Sequence, residues 1–418
     1  MKVIHILSHS HHKWALSTRD PEEINRTAPM KYISLTEPPY WVGFFKGDFH
    51  VIVAQWILSR TSEYQIECWR PYLGIKKPYS MEVDGVLHRV FPSWQYRIPK
   101  FTSGEYCPSL IKELKKEISN NKVLLHFHDN HSDLITSAIL SMPQNKVPII
   151  YQHRGGWFAT FDTTINPYKF YRFRKQYAAL KKISFYLSGS LIEEEIMKKK
   201  WGMRNVTYFH DGVDYNTYIP ADKNELRKKY NIPANKKVIM YVGRFYSLKG
   251  VDKILQSYHA LKNTYDLQLI MIGGYKGDEF YDQITKTGSI IITRIPIEEL
   301  IPYLQLSDVY AMLVKEDLAI KFGGFGSAPI EALACNIPII SYNFIHFPGT
   351  PDEMRGLGMI PKNDKDIDDC FRTVFDNPQK FNNCREISIK YFNSNTNINS
   401  IIEKYKELFS KYYPAKSI

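Results

Sequence analysis

The first half of the chain alternates short apolar runs with segments of helical periodicity. The apolar runs lie at residues 3–7, 64–69, 123–128, 147–152 and 184–188. Short apolar runs between polar segments are typical of strands buried on both faces, so the alternation predicts a parallel α/β sheet. A helix is predicted at about 48–59. Another follows residue 188, where three glutamates precede three lysines in the order that suits a helix dipole.

The second half repeats the alternation after a change of unit near residues 210–220. Its predicted strands lie at 238–242, 267–272, 309–314 and 337–340. Helices are predicted at about 251–262 and at 401–412. A chain of 418 residues predicts two or three domains, and the change of unit places two α/β domains at 1–212 and 213–397.

A glycine-rich turn at 322–326 precedes a short predicted helix. Ser327 is expected to cap this helix, Pro329 suits its first turn, and Asn336 before Pro338 should end it. Free N–H groups at a glycine-lined helix start can bind an anion, and Glu331 could hold a sugar hydroxyl. The pattern favours a nucleotide-diphosphate pocket, with an ordinary α/β turn as the alternative.

A second glycine-flanked turn follows the strand at 238–242. Gly243 and Gly250 enclose Arg244 and Lys249 at a strand-to-helix junction. Both cations can reach a diphosphate, the arginine as a planar fork and the lysine as a point charge. This spacing raises the probability of the pocket.

Strand-end residues of the first half are candidates for the opposite side of a site, because ligands of parallel sheets lie beyond the carboxyl ends of the strands. His128 and Asp129 follow one predicted strand, and His153 follows the next, before two glycines. Gly47 precedes the first helix. A structural histidine is the alternative for each position.

Composition narrows the function classes. The hydrophobic fraction of 44% and the charged fraction of 23% are those of a globular protein, and no apolar run approaches the ~18 residues of a membrane span. The five cysteines are scattered, which favours buried thiols in a reducing compartment. The spacing of His9, His11 and His12 does not match a metal-ligand motif.

The net charge of +12 is concentrated in the first 220 residues, which carry roughly +9 of it. Such a surface can meet nucleic acid, an anionic membrane or an anionic substrate, and no nucleic-acid motif is present. Residues 169–182 interleave cationic and aromatic side chains. They predict either a helix in a lipid interface or a solvated helix with an aromatic core face.

Together these residues resemble the retaining family-4 glycosyltransferases, the group 1 glycosyl transferases of GT-B fold. The resemblance is most specific over residues 238–361. It includes Gly-Arg…Lys-Gly, then Gly-Phe-Gly…Glu-Ala…Pro-Ile-Ile, and Gly-Leu-Gly-Met-Ile-Pro at 356–361. It extends back to His-Asp-Gly-Val-Asp at 210–214, whereas the first ~110 residues match weakly.

The resemblance implies two Rossmann-like domains that face each other across a cleft, with a final helix, about 398–418, packed back on the first domain. It implies a donor site made by Gly243, Arg244, Lys249, Gly324, Phe325, Gly326 and Glu331. His153, Arg244 and Lys249 would act in catalysis, and a loop with Gly47, His128 and Asp129 would face the cleft. Glu331 would bind the ribose, and His153 the donor sugar or a hydroxyl near the reaction centre.

By the same resemblance, the substrates are a nucleotide-diphosphate sugar and a glycan or lipid-linked acceptor of cell-surface polysaccharide synthesis. No cofactor and no metal are expected, because cationic side chains can stabilise the leaving diphosphate. The expected location is cytoplasmic or peripheral to the inner face of the membrane, with an anionic membrane surface as a partner and no nucleic acid.

One departure from the family pattern concerns the donor sugar. The family commonly has two glutamates seven residues apart, and the first would fall at position 323, which here is glycine. A noncatalytic GT-B subunit that binds a partner protein, and another GT-B enzyme such as an epimerase, therefore remain alternatives.

Overall fold

The computed structural model describes residues 1–7, 51–73, 75–83, 85–98, 102–128, 133–153, 167–293, 295, 297–314 and 324–414. Contacts between Cα atoms divide the chain into two compact units. The first unit comprises Met1–Phe209 and Ile398–Ile418, and the second comprises His210–Asn397.

The first unit contains a sheet of nine strands within the described residues. They are β1 (Lys2–Ile6), β2 (Gln65–Leu73), β3 (Tyr79–Val83), β4 (Val86–Ile98), β5 (Thr102–Tyr106), β6 (Val123–His128), β7 (Ile149–Gln152), β8 (Phe185–Ser188) and β9 (Val206–Tyr208). Their order is β3-β4-β2-β1-β6-β7-β8-β9, and β5 pairs with β4. The predicted apolar runs thus form the central strands.

The sheet is mixed rather than parallel throughout, which corrects the sequence-based expectation. Strands β3 and β5 both run antiparallel to β4. They escaped prediction because β3 alternates between half-exposed and exposed positions over most of its length, unlike the wholly buried β6. Edge strands of this kind lack the continuous apolar run of a central parallel strand.

Helices cover both faces of this sheet. They are α1 (Ile52–Leu58), α2 (Pro108–Asn120), α3 (Asp133–Ser141), α4 (Pro167–Leu180), α5 (Leu191–Lys199) and, in the last part of the chain, α14 (Ser394–Tyr412). One core cluster combines α2 and α3 with Ile4, Leu125 and Tyr151 of the sheet. The cluster on the other face combines α1 with Ile398 to Phe409 of α14. Alternating sheet residues therefore enter two separate apolar layers.

The second unit contains a parallel sheet of six strands. They are β10 (Lys237–Val242), β11 (Leu267–Ile272), β12 (Ile290–Ile292), β13 (Val309–Met312), β14 (Ile339–Ser341) and β15 (Gly358–Met359). The order is β12-β11-β10-β13-β14-β15. Chain order reverses between β10 and β13, and ligands of open α/β sheets bind beyond the strand ends at such a switch point.

Eight α-helices accompany this sheet in the described residues. They are α6 (Lys223–Lys229), α7 (Val251–Leu261), α8 (Tyr281–Thr285), α9 (Ile297–Gln305), α10 (Ser327–Ala334), α11 (Pro351–Leu357), α12 (Ile367–Asp376) and α13 (Cys384–Phe392). Short 3₁₀ segments lie at Ser247–Lys249, Tyr342–His346, Asp364–Asp366 and Pro378–Phe381.

Helix α10 ends as predicted and begins differently. Asn336 has φ 62°, its N–H bonds the carbonyl of Leu333, and Ile337 N–H bonds that of Ala332. These two bonds form a Schellman motif. At the start, Gly326 is the N-cap, with φ 83°, and no side chain caps the helix. The capping role predicted for Ser327 is wrong, because Ser327 is the first helical residue.

Candidate functional site

The turn after β10 lies at the switch point of the second sheet. Gly243 N–H continues the ladder with the carbonyl of Ile272 at 2.7 Å, and a 3₁₀ turn then leads to Gly250. Gly250 has φ 74°, and a Cβ there would lie 2.0 Å from the carbonyl oxygen of Leu313, just after β13. Glycine is therefore required at this position, and it lets the Arg244–Lys249 turn approach the neighbouring strand end.

Arg244 is held by a carboxylate that the sequence analysis did not single out. Its Nε lies 3.2 and 3.0 Å from the two oxygens of Asp278, and its Nη2 donates to Tyr246 Oη at 2.6 Å. The guanidinium also lies 4.9 Å from the ring centroid of Tyr275. No described residue accepts a hydrogen bond from Nη1, so this end of the fork remains available to an anion.

Asp278 also organises the backbone of the turn. Its Oδ2 accepts hydrogen bonds from the N–H groups of Phe245 at 3.1 Å and Tyr275 at 3.2 Å. Burial would raise the pKa of Asp278, but the hydrogen bonds from Arg244 and these amides hold it below its usual value. The sequence contained one indication that Asp278 lies near this turn. Asp278 follows Gly277 in the glycine-rich loop after β11, and β11 is the strand beside β10.

Lys249 contrasts with Arg244. It lies at the surface of the turn, yet the surrounding protein displaces water from its ammonium group and lowers the pKa of Lys249. Within the described part of the chain, no carboxylate forms an ion pair with it. A partly dehydrated cation without a counter-ion is a suitable partner for an anionic ligand.

The second glycine turn presents backbone rather than side chains. Phe325 is wholly buried, and its ring centroid lies 5.1 Å from that of Phe392 and 5.6 Å from that of Phe344. The ring therefore belongs to the core of the second unit. At Phe325, therefore, the main chain between Gly324 and Gly326 is the part that could contact a donor.

Glu331 lies half-buried on α10, beside Tyr218. Burial raises the pKa of Glu331 to about 7, and a hydrogen bond with Tyr218 lowers it in part. Tyr218 is buried. Sequence reasoning did not find this partner. The carboxyl group is thus poised to change charge near neutral pH.

His153 directly follows β7 in the first unit and is buried beside Glu193. Its Nδ1 lies 2.8 Å from Glu193 Oε1, although the ring N–H is not aimed along the line between the two atoms. Glu193 Oε1 also accepts from Tyr186, and its Oε2 accepts from Gly189 N–H at 2.7 Å. The sequence analysis treated this glutamate only as part of a helix charge pattern.

The structure corrects the expectation for His128. It is the last residue of β6, wholly buried, and not part of a loop. Its Nε2 lies 2.9 Å from His5 Nδ1, and Tyr405 Oη lies 2.7 Å from His126 Nδ1 and 3.2 Å from His5 Nε2. The sequence could not show this histidine cluster, because the cluster depends on the pairing of β1 with β6, which aligns His5 with His126.

The three histidines are near enough to share a metal ion, since their ligand atoms lie within 4.8 Å of one another. However, the ring of His128 lies nearly parallel to those of His126 and His5, at 19° and 25°. Ligation of one ion requires lone pairs that converge within the ring planes. The observed arrangement is that of a stacked, hydrogen-bonded network.

The other predicted positions, Gly47, Asp129, Gly323 and the group His9, His11 and His12, lie outside the described residues. Across the described ranges, no helix combines the length and apolar character needed to cross a bilayer. All five cysteines are buried, and none of them forms a disulfide bond within the described residues.

Comparison with known families follows this geometry. Residues 222–391 match the family described as "Glycosyl transferases group 1". The matched segment makes up 170 of the 418 residues, so the chain is similar to this family over about two fifths of its length. The match includes Arg244, Lys249, Asp278 and Glu331, so the switch-point turns lie within the matched segment.

Two curated relatives illustrate the similarity. The chain is 27% identical over 160 residues to an N-acetyl-alpha-D-glucosaminyl L-malate synthase of Bacillus anthracis, covering 37% of the chain and 39% of that protein. It is 25% identical over 140 residues to the capsular polysaccharide biosynthesis glycosyltransferase CapM of Staphylococcus aureus, covering 32% of the chain and 35% of CapM. The matches thus span less than half of either relative's length.

Similarity in three dimensions extends further. The structure of Anabaena Alr3699/HepE in complex with UDP has a TM-score of 0.64 at 13% identity, covering 97% of this chain and 100% of that one. Likeness of this extent at such low identity shows the fold. The chain has the GT-B fold that the sequence predicted.

Proposed function

We propose that the protein is a retaining glycosyltransferase that transfers a sugar from a nucleotide-diphosphate sugar to a glycan or glycolipid acceptor of a cell-surface polysaccharide. The single observation that carries the proposal is the turn after β10. There Lys249 has no ion-pair partner in the described part of the chain, and Arg244 is fixed by Asp278 with Nη1 available. The match of residues 222–391 to the group 1 glycosyl transferases supports the same conclusion.

The chemistry requires stabilisation of a leaving group. When the bond between the sugar's anomeric carbon and the phosphate oxygen breaks, negative charge develops on the nucleoside diphosphate. Lys249, Arg244 Nη1 and the N–H groups that begin α10 would stabilise this charge. We propose that these groups suffice without a metal cofactor, and that the acceptor oxygen attacks from the face that the diphosphate leaves, as the family resemblance implies.

The identity of the donor and of the acceptor is part of the proposal. The similarity to CapM favours a polysaccharide acceptor, and the UDP complex of the structurally similar protein makes UDP the first nucleotide to test. Glu331 would accept hydrogen bonds from the ribose, and His153 would act near the donor sugar. Glycine at position 323 favours a bulky or acidic sugar, because it removes a carboxylate from the family pattern.

Membrane attachment is a further part of the proposal. Helix α4 exposes Arg174 and Lys175, and Lys181 Nζ lies 4.4 Å from the ring centroid of Tyr177. Clustered cations beside aromatic rings suit an anionic lipid surface, where a lipid-linked acceptor would be found.

Calorimetric titration with UDP, GDP and ADP tests the donor site. We expect one of them to bind, and Lys249→Ala to weaken that binding about tenfold or more, since a charge-assisted contact contributes about 1.5–3 kcal/mol. Lys262→Ala is the matched control, because Lys262 lies at the other end of α7, about 18 Å away. If none of the three nucleotides binds, or if both variants bind equally well, the donor-site assignment is overturned.

A further inference from the structure

The buried carboxylate of Glu193 lies beside a histidine that the proposed function places near the reaction. Glu193 and His153 belong to the same unit and are separated by 40 residues, yet Nδ1 and Oε1 lie 2.8 Å apart. Both side chains are only 4% exposed. A buried carboxylate is costly unless its charge is compensated, so the donors around Glu193 determine what it can do.

Two donors and an imidazole surround this carboxylate. Tyr186 O–H donates to Oε1, Gly189 N–H donates to Oε2 at 2.7 Å, and the His153 imidazole faces Oε1. Tyr186 is itself fixed, because its ring lies 4.9 Å from that of buried Tyr151 on the adjacent strand. The carboxylate therefore has one position, and the imidazole beside it meets a fixed acceptor.

Secondary structure also holds the pair in place. Glu193 is the third residue of α5, and its own N–H donates to the side chain of Ser190, the N-cap, at 3.1 Å. A glutamate here commonly bonds back to the N-cap amide, whereas Glu193 bonds the N–H of the preceding glycine and turns toward His153. The helix N-terminus also favours an anion at this position.

We infer that Glu193 is the positioning residue of His153. Glu193 holds the imidazole with a proton on Nδ1, so that Nε2 is the ring nitrogen that contacts substrate. The inference rests on the proposed function for the role of His153, but the pairing itself does not. A histidine whose second nitrogen is fixed by a buried acid is the usual arrangement of an oriented catalytic imidazole. The misaligned N–H is compatible with this role, since such bonds often tighten only when substrate is bound.

Glu193→Gln is the informative substitution. It preserves the shape of the side chain but offers one acceptor oxygen where two donors and the imidazole now meet the carboxylate, and its amide can instead donate to Nδ1. We expect the proton of His153 to redistribute between the two ring nitrogens. Glu195→Gln is the matched control, because Glu195 lies on the same helix and is 59% exposed in a pair with Lys199.

Nitrogen-15 NMR of the histidine ring reads the tautomer directly and needs no substrate. The wild type should show a protonated Nδ1, the Glu193→Gln spectrum should change, and the Glu195→Gln spectrum should not. Glu193→Asp, which keeps the charge on a shorter side chain, should restore part of the wild-type signal. An unchanged His153 signal in Glu193→Gln overturns the inference, whatever the enzyme's activity.

Turnover measurements then test the catalytic consequence. With a donor that the wild type uses, Glu193→Gln should lower kcat about 10- to 100-fold and leave nucleotide affinity unchanged, because the diphosphate residues lie in the other unit. Combined with His153→Ala, it should cause no further loss. Additive losses, or wild-type kcat in Glu193→Gln, overturn the positioning role. If the wild type transfers no sugar, the proposed function fails, and the NMR result still decides the pairing.

Discussion

Replacement of Glu331 by glutamine should change how the stability of the protein depends on pH. Burial raises the pKa of Glu331 from 4.5 to about 7. In the unfolded chain the carboxyl group of Glu331 ionises near pH 4.5, whereas in the folded chain it stays protonated until about pH 7. The difference corresponds to about 3 kcal/mol, which the wild type loses as the pH rises from below 4.5 to above 7. Glu331→Gln keeps the shape of the side chain and its hydrogen bond with Tyr218, but the glutamine cannot ionise.

The assay is urea denaturation of both proteins without nucleotide between pH 4 and pH 8. Relative to its value at pH 4, the free energy of unfolding of Glu331→Gln should exceed that of the wild type by about 3 kcal/mol at pH 8. A difference that stays constant over this range would refute the burial argument. So would a difference of the opposite sign, in which the wild type gains stability over the variant as the pH rises, because Glu331 would then be favoured as a charged structural group.

Nucleotide binding extends the same reasoning to function. Ribose hydroxyls that donate to Glu331 would favour its ionised form, so binding near pH 6 should release a proton. Calorimetry in two buffers of different ionisation enthalpy measures that proton. Glu331→Gln should bind more weakly and lose the dependence on buffer. Proton release that persists in the variant would assign it to another group.

Three further perturbations test the other contacts. Asp278→Asn should weaken nucleotide diphosphate binding about tenfold, because Arg244 loses its fixed partner; tighter binding would show instead that Asp278 competes with the ligand. Tyr405→Phe should lower the free energy of unfolding by about 1–3 kcal/mol, since it removes the hydroxyl between His126 and His5. The control Tyr412→Phe removes a hydroxyl that is only part-buried and should have a smaller effect. Charge reversal of Arg174 and Lys175 should abolish sedimentation of the protein with anionic vesicles at low salt, whereas charge reversal of the exposed Lys228 and Lys229 should not. If the wild type does not bind these vesicles, the membrane proposal is wrong.

Local sequence determined the elements and the chemistry carried within one turn. Apolar runs identified the central strands of both sheets, because a strand buried on both faces excludes polar residues over its whole length. Asn336 and Pro338 determined where α10 ends. The spacing of Arg244 and Lys249 between two glycines identified the turn after β10, and the structure gives the reason for the second glycine in its contact with Leu313.

Tertiary structure decided which groups those residues meet. Asp278 lies 34 residues from Arg244 in the chain, and Glu193 lies 40 residues from His153. Parallel sheets bring the ends of distant strands together, and no local pattern records which loops become neighbours. The same reason explains why the stacked histidines went unseen. Their pairing depends on the register of β1 with β6, which is a property of the folded sheet.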